Sequence, residues 1–190
     1  MSETVKKELE ELKKKCDSCK GCKLSGTKTN TVFGTGNIKA KVMFVGEAPG
    51  EQEDLQGEPF VGASGKLLDK YLTVIDMPRE SVYIANILKC RPPHNRDPLP
   101  EEEDACIEFL RKQLQLINPK IIVCLGRIAA KKLIKPDFKI TAEHGKWFEK
   151  GKFLMCAVYH PSALLRDLSK RTEMLSDMFE IKKKADETEK

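Results

Sequence analysis

Three polar side chains stand at the downstream ends of apolar segments that lie far apart in the chain. Glu47 follows Lys41 to Gly46 (KVMFVG), Asn86 sits within Ser81 to Leu88 (SVYIANIL), and His160 follows Phe153 to Tyr159 (FLMCAVY). A carboxylate can take a proton or orient water, an amide offers a donor and an acceptor together, and an imidazole changes role near neutral pH. An acidic run, Glu51-Gln52-Glu53-Asp54, follows Glu47 after a Pro-Gly step. Singly, each residue is an ordinary turn, cap or loop residue. At one edge of one sheet, they would form a polar crevice.

Seven cysteines are the second chemical feature. Cys124 and Cys156 lie inside apolar segments and read as small core hydrophobes. Cys16, Cys19 and Cys22 are separated by two-residue gaps, and Cys90 and Cys106 lie in irregular or helix-start segments. A Cys-x-x-Cys turn lets two thiolates face one ion or cluster, and two distant sulfurs would complete a four-sulfur site that suits zinc or iron-sulfur. The first three have ferredoxin-like spacing without the fourth cysteine expected soon after, and the Cys-x3-Cys-x2-Cys spacing of radical enzymes is absent. Gly62-Ala63-Ser64-Gly65-Lys66 looks like the end of a phosphate-binding loop, but the required first glycine falls at Phe60 and Leu67 follows the lysine. It reads as a helix start.

The elements that must position these groups alternate. The three apolar segments above and Ile121 to Gly126 have the near-continuous apolar character of buried parallel strands. Between and after them, Gly65 to Ile75, Pro100 to Ile117, Arg127 to Ile134 and Ser162 to Lys184 read as helices. The pattern predicts an α/β fold: one domain over residues 1–184, three layers (α/β/α), with a four-stranded, mainly parallel central sheet. In such a sheet ligands bind beyond the carboxyl ends of the strands, where Glu47, Asn86 and His160 fall. Residues 185–190 are expected to be a disordered tail.

Composition narrows the class. The chain has 190 residues, enough for a self-sufficient core, so clustered cysteines are not needed to offset small size. An apolar fraction of 40% and apolar runs far short of the ~20 residues a span requires exclude a membrane protein. The opening MSETVKKELEELKKK is a charged helical pattern without an apolar stretch or cleavage site, so a cytoplasmic location is expected, nucleoid-associated in a prokaryote. There, clustered cysteines are metal ligands or catalytic thiols more often than disulfides. The net charge of +5 is only mildly basic and does not by itself point to nucleic acid.

Taken together, several motifs resemble family 4 uracil-DNA glycosylases, the iron-sulfur type. They are Cys19-Lys-Gly-Cys22-Lys-Leu, Val32-Phe-Gly-Thr-Gly-Asn37, Gly46-Glu-Ala-Pro-Gly-Glu-Gln-Glu-Asp54, Gly57-Glu-Pro-Phe-Val-Gly62, Val82-Tyr-Ile-Ala-Asn86, Lys89-Cys-Arg-Pro-Pro-His-Asn-Arg96 and His160-Pro-Ser-Ala-Leu-Leu-Arg166. Their order over most of the chain is more specific than any one of them. The resemblance implies a monomer that flips uracil out of single- or double-stranded DNA and hydrolyses its N-glycosidic bond. It implies a structural 4Fe-4S cluster on Cys19, Cys22, Cys90 and Cys106, with Cys16 surplus.

By the same resemblance Phe60 stacks on the base, Asn86 reads its edge, His160 donates to uracil O2, and Glu47 orients water or stabilises the sugar cation. Ala48 stands where other glycosylase families carry a water-activating aspartate, which leaves the general base open between Glu47, Glu53 and Asp54. Glu53 has the alternative role of excluding the thymine methyl. Ser162 to Arg166 resembles a minor-groove loop with Leu164 or Leu165 as the wedge, and Arg91, Arg96, Lys66 and Arg166 are candidate phosphate contacts. Two other classes compete: a non-catalytic zinc or iron-sulfur nucleic-acid module, and a metal-dependent phosphoesterase built on Glu47, Glu51, Glu53 and Asp54.

Overall fold

The computed structural model of the chain describes residues 2–188. Six strands form one sheet: β1 (Thr35–Gly36), β2 (Val42–Gly46), β3 (Tyr83–Asn86), β4 (Ile121–Leu125), β5 (Phe148–Lys150) and β6 (Phe153–Val158), in the order β1-β3-β2-β4-β6-β5. The four inner strands run parallel and are the four that the apolar runs predict. The four-stranded expectation is corrected at both edges, where β1 and β5 pair antiparallel to β3 and β6. These edge strands are two and three residues long and lack an apolar run, so periodicity has nothing to register.

Among the described residues eight α-helices flank the sheet: α1 (Ser2–Asp17), α2 (Glu51–Gln56), α3 (Ala63–Val74), α4 (Pro100–Ile117), α5 (Arg127–Leu133), α6 (Ile140–Glu143), α7 (Pro161–Arg166) and α8 (Arg171–Glu187). Because strand side chains alternate, Met43 and Val45 of β2 pack with α1, α4 and α5, while Val42 and Phe44 pack with α3 and α8. These two apolar layers are the three-layer architecture expected. No helix among the described residues is long and apolar enough to cross a membrane.

The C-terminal helix departs from expectation in two places. Residues 162–184 are not one helix, because Asp167 is extended (φ −130°, ψ 99°) and its carboxylate accepts the Ser169 N–H at 3.1 Å, ending α7 and starting a short turn before α8. A side-chain acceptor competes here with the helical ladder. The tail expected from residue 185 is still helical to Glu187, with Ala185 buried against the core. Residues 189–190 lie outside the described residues.

Register brings the chemistry together. Gly46 is level with Asn86, Val45 with Cys124, and Leu125 with Val158. The ladder continues past the strands through Leu88 N–H to Glu47 C=O (3.0 Å) and Gly126 N–H to Val158 C=O (2.9 Å). Glu47, Asn86, Arg127 and His160 therefore leave the sheet along one edge.

Candidate active site

A cleft of about 470 Å³ opens at that edge, with Glu47, Phe60, Asn86, Arg127, His160 and Arg166 among its walls. Ala48, Glu53 and Ser162 also face it.

Asn86 is 1% exposed, and its Oδ1 is the one buried side-chain polar atom without a hydrogen-bond partner among the described residues. Leaving such an acceptor unpaired costs about 1–3 kcal/mol, so it marks a place where a ligand donor belongs. Gly46 leaves room for the arrangement: a Cβ there would lie 2.4 Å from Asn86 Oδ1 and 2.6 Å from Phe60 Cζ. The Phe60 ring lies beside the His160 ring, with centroids 5.7 Å apart.

His160 has a determined tautomer. Its Nδ1 receives the Ser162 backbone N–H at 3.1 Å and lies 2.8 Å from Ser162 Oγ, so Nδ1 is an acceptor and the ring proton of the neutral imidazole sits on Nε2. Burial, with the Arg166 charge second, lowers its pKa to about 4. The cleft thus contains a neutral imidazole whose free N–H is a donor at neutral pH.

Glu47 is half-buried, and its pKa is pushed up to about 7 by burial and then by the Asp97 carboxylate, against the opposing Arg127 guanidinium. Arg127 itself pairs with Asp97. A carboxyl group poised there exchanges a proton readily near neutral pH. Neither Arg127 nor Asp97 emerges from the sequence reading. The signal for Arg127 was present, since Gly126-Arg127 follows the apolar run of β4 as Glu47 follows that of β2. Asp97 lies in a proline-rich loop with no periodicity.

Other expected contacts resolve differently. Glu53 faces the cleft, but its Oε1 accepts the N–H groups of Val61 (2.9 Å) and Gly62 (2.8 Å) and so anchors the turn carrying Phe60. Asp54 is 4% exposed and accepts the amides of Thr29 (3.0 Å) and Asn30 (3.3 Å), far from a general-base position. Glu51 lies 3.6 Å from Arg91. The acidic run therefore serves separate partners rather than one ion, which removes the basis for the phosphoesterase reading.

Ser162, expected as a DNA contact, orients His160. Leu164 is corrected as a wedge: it is fully buried in the core with Met174 and Met178, whereas Leu165 is 43% exposed and Leu168, which the sequence reading passed over, is 61% exposed. Arg96 is held by Glu102 through two hydrogen bonds of 2.9 and 2.6 Å, and Arg91 by Asn95 at 2.8 Å. Of the four candidate phosphate contacts, Lys66 and Arg166 are exposed and have no carboxylate partner among the described residues, so their charges are available to a phosphate.

Beside the cleft, Cys22, Cys90 and Cys106 gather with Leu24, Leu88 and Phe109 in a small separate cluster, and burial first, with the nearness of Cys22 and Cys19 behind it, pushes the thiols of Cys90 and Cys106 up. Two of the sulfurs accept backbone N–H groups, Cys19 from Gly21 and Cys106 from Lys89, each at 3.3 Å. Cys16 differs. It is 1% exposed and continues the α1 stripe of Leu9 and Leu12 into the core. Cys16→Ser is therefore expected to lower stability by about 1–3 kcal/mol without altering metal content, measured by denaturant unfolding and elemental analysis. Metal loss equal to that of Cys90→Ser would instead make Cys16 a ligand.

Comparison with known proteins agrees with the geometry. Residues 33–181 match the model of the uracil DNA glycosylase superfamily. Type-4 uracil-DNA glycosylases are similar over nearly the whole length: that of Archaeoglobus fulgidus is 48% identical across 91% of this chain and 91% of its own. That of Sulfurisphaera tokodaii is 43% identical across 93% and 84%, and that of Thermotoga maritima 42% across 85% of each. With the family match covering the cleft and with relatives this similar over most of both chains, the chain belongs to the uracil-DNA glycosylase superfamily and, within it, to the type-4 uracil-DNA glycosylases.

Proposed function

We propose that the protein removes uracil from DNA by hydrolysing its N-glycosidic bond, working as a monomer in the cytoplasm, at the nucleoid if the source is a prokaryote. The observation that carries this reading is the unpartnered Asn86 Oδ1, buried in a cleft that also offers an aromatic ring and a neutral imidazole donor. Uracil presents N3–H to that oxygen and O4 to the amide N–H. Cytosine has an acceptor at N3 and a donor at N4, reversing both demands. A site built around such bonds rejects the wrong base because buried groups are left mispaired.

The DNA must first give up the base, at a few kcal/mol of unstacking. Phe60 offsets part of this by stacking, worth about 1–3 kcal/mol. Leu165, exposed on α7 next to Arg166 of the cleft wall, is suited to fill the vacated stack, with Arg166 and Lys66 on the phosphates. As the bond breaks, electrons move to the uracil ring, and the Nε2–H of His160 stabilises the charge growing on O2. The sugar becomes cationic. Glu47 as carboxylate faces that charge and takes the proton of the water that adds to the anomeric carbon; it then gives this proton to solvent while the departing uracil anion takes one up, so that neutral uracil and an abasic sugar result. Ala48 has no group for this step, and Glu53 and Asp54 are committed to backbone amides.

Asn86→Asp is expected to lower uracil excision about 10–100-fold, in line with the loss of one buried pairing, and to raise cytosine excision above background. Competition between the two oligonucleotides measures it, and an unchanged preference for uracil would remove Asn86 from base reading.

The cysteines fit a 4Fe-4S cluster held by Cys19, Cys22, Cys90 and Cys106. All four are sulfur donors, and two already accept amide hydrogen bonds of the kind that bound thiolates receive. Among the described residues no three Cys, His, Asp or Glu side chains close around one point as ligands of a single ion do. When bound, the cluster supplies cross-links rather than chemistry at the sugar. Cys90 follows Asn86 by four residues, so ligation by these four cysteines would tie the base-reading strand end and the proline-rich loop to α4 and the N-terminal segment. Cys90→Ser is expected to remove most of the iron, about four per chain in the parent, and with it the visible colour. A colourless parent protein with zinc would overturn the cluster assignment and leave the glycosylase reading intact.

A further inference from the structure

Phe60 is a bulky residue in the left-handed region (φ 53°), where such residues are genuine outliers. Strain of this kind persists only where surrounding groups over-determine it. The restraint is visible on both sides of the Phe60–Val61 peptide. The N–H of Val61 donates to Glu53 Oε1 at 2.9 Å, and the C=O of Phe60 accepts from Arg79 Nη1 at 3.1 Å. The same guanidinium donates to the Pro59 carbonyl, and Nη1 also meets Asp69 Oδ1 at 2.9 Å. The Phe60 carbonyl is further seated against α3, where a Cβ on Gly65 would come within 1.8 Å of it.

Arg79 is outside the cleft, in the short turn before β3, and its side chain is 24% exposed. A planar fork can serve two carbonyls and a carboxylate at once, as a lysine ammonium at the same place would not. We infer that Arg79 is a positioning residue for the base: its guanidinium clamps the Pro59 and Phe60 carbonyls, holding the Phe60 ring presented to the flipped uracil before DNA arrives. This rests on Phe60 being the stacking residue of the proposed glycosylase.

The test is a double-mutant cycle between Arg79→Met and Phe60→Ala, with two readouts: inhibition by free uracil, which reports the base pocket without DNA, and kcat/KM on a single-stranded oligonucleotide carrying one uracil. Phe60→Ala is expected to weaken both about 10–100-fold, the size of one lost stack. Arg79→Met should weaken both by about tenfold in the parent, and by less than about twofold when Phe60 is already Ala. Arg79→Lys should restore little. Asp69→Asn, on an exposed carboxylate, should shift both readouts in the same direction by a smaller factor, and it carries the test if Arg79→Met does not fold. An Arg79→Met or Asp69→Asn effect that is undiminished in the Phe60→Ala background, or no effect at all, overturns the inference while leaving Phe60 as the stacking residue. Unchanged uracil inhibition in Phe60→Ala itself overturns the stacking role on which the inference stands.

Discussion

His160→Ala is expected to slow uracil excision by about 10²–10³-fold, the usual consequence of deleting one donor aimed at developing charge, with DNA affinity nearly unchanged. The direction follows from the tautomer. Since Nδ1 accepts from Ser162, the donor at Nε2 is permanent and needs no proton from solution. With its pKa lowered to about 4, the imidazole is neutral across the working range, so it adds no acid limb to the activity above about pH 5. Its signature is in stability instead. The folded state refuses a proton that the unfolded chain takes below 6.5, so the protein binds fewer protons when folded and loses stability as pH falls from about 6.5 toward 4. His160→Ala should unfold with a weaker acid dependence over that window. Single-turnover excision and denaturant unfolding at several pH values measure both effects. Parallel loss of DNA binding and turnover would make His160 a structural residue.

Glu47→Gln carries the second large effect, a fall in kcat of about 10²–10⁴-fold typical of a missing base. In the parent the active form is the carboxylate and the pKa is about 7, so kcat/KM should rise with pH up to that point and level off above it. Glu47→Gln should show residual activity that is flat over the same range. The neighbours supply a check that a structural role would not meet. Asp97→Asn removes a negative charge and should move the limb to lower pH, whereas Arg127→Met removes the opposing positive charge and should move it higher. An acid limb that persists unaltered in Glu47→Gln would exclude Glu47 as the titrating base.

The sequence carried the centre of the fold and lost its margins, for physical reasons visible at single residues. Buried parallel strands such as Ile121–Leu125 are apolar on both faces, and the run announces itself. Thr35–Gly36 is a strand only because Tyr83 and Ile84 lie beside it, a long-range fact that no local pattern contains. The same division holds in the site. Glu47, Asn86 and His160 stand at strand ends, where topology alone predicts convergence, and they do converge. Leu164 and Leu165 are indistinguishable by type, and only the packing of α7 against its neighbours decides which faces the core. Glu53 belongs to a motif that marks it as functional, yet its carboxylate works through the backbone of Phe60's turn. Arg79 has no motif; its meaning appears only when the left-handed Phe60 is seen beneath it.

The central claim is that this cleft breaks the bond between uracil and deoxyribose with its own side chains. The direct measurement incubates iron-replete purified protein with a single-stranded oligonucleotide bearing one uracil, in excess chelator, and quantifies free base and strand integrity. The account predicts release of free uracil, an intact phosphodiester backbone carrying one abasic site, and no inhibition by the chelator while iron is retained. Iron-replete protein that releases no uracil, or that cuts the backbone without releasing base, would contradict it.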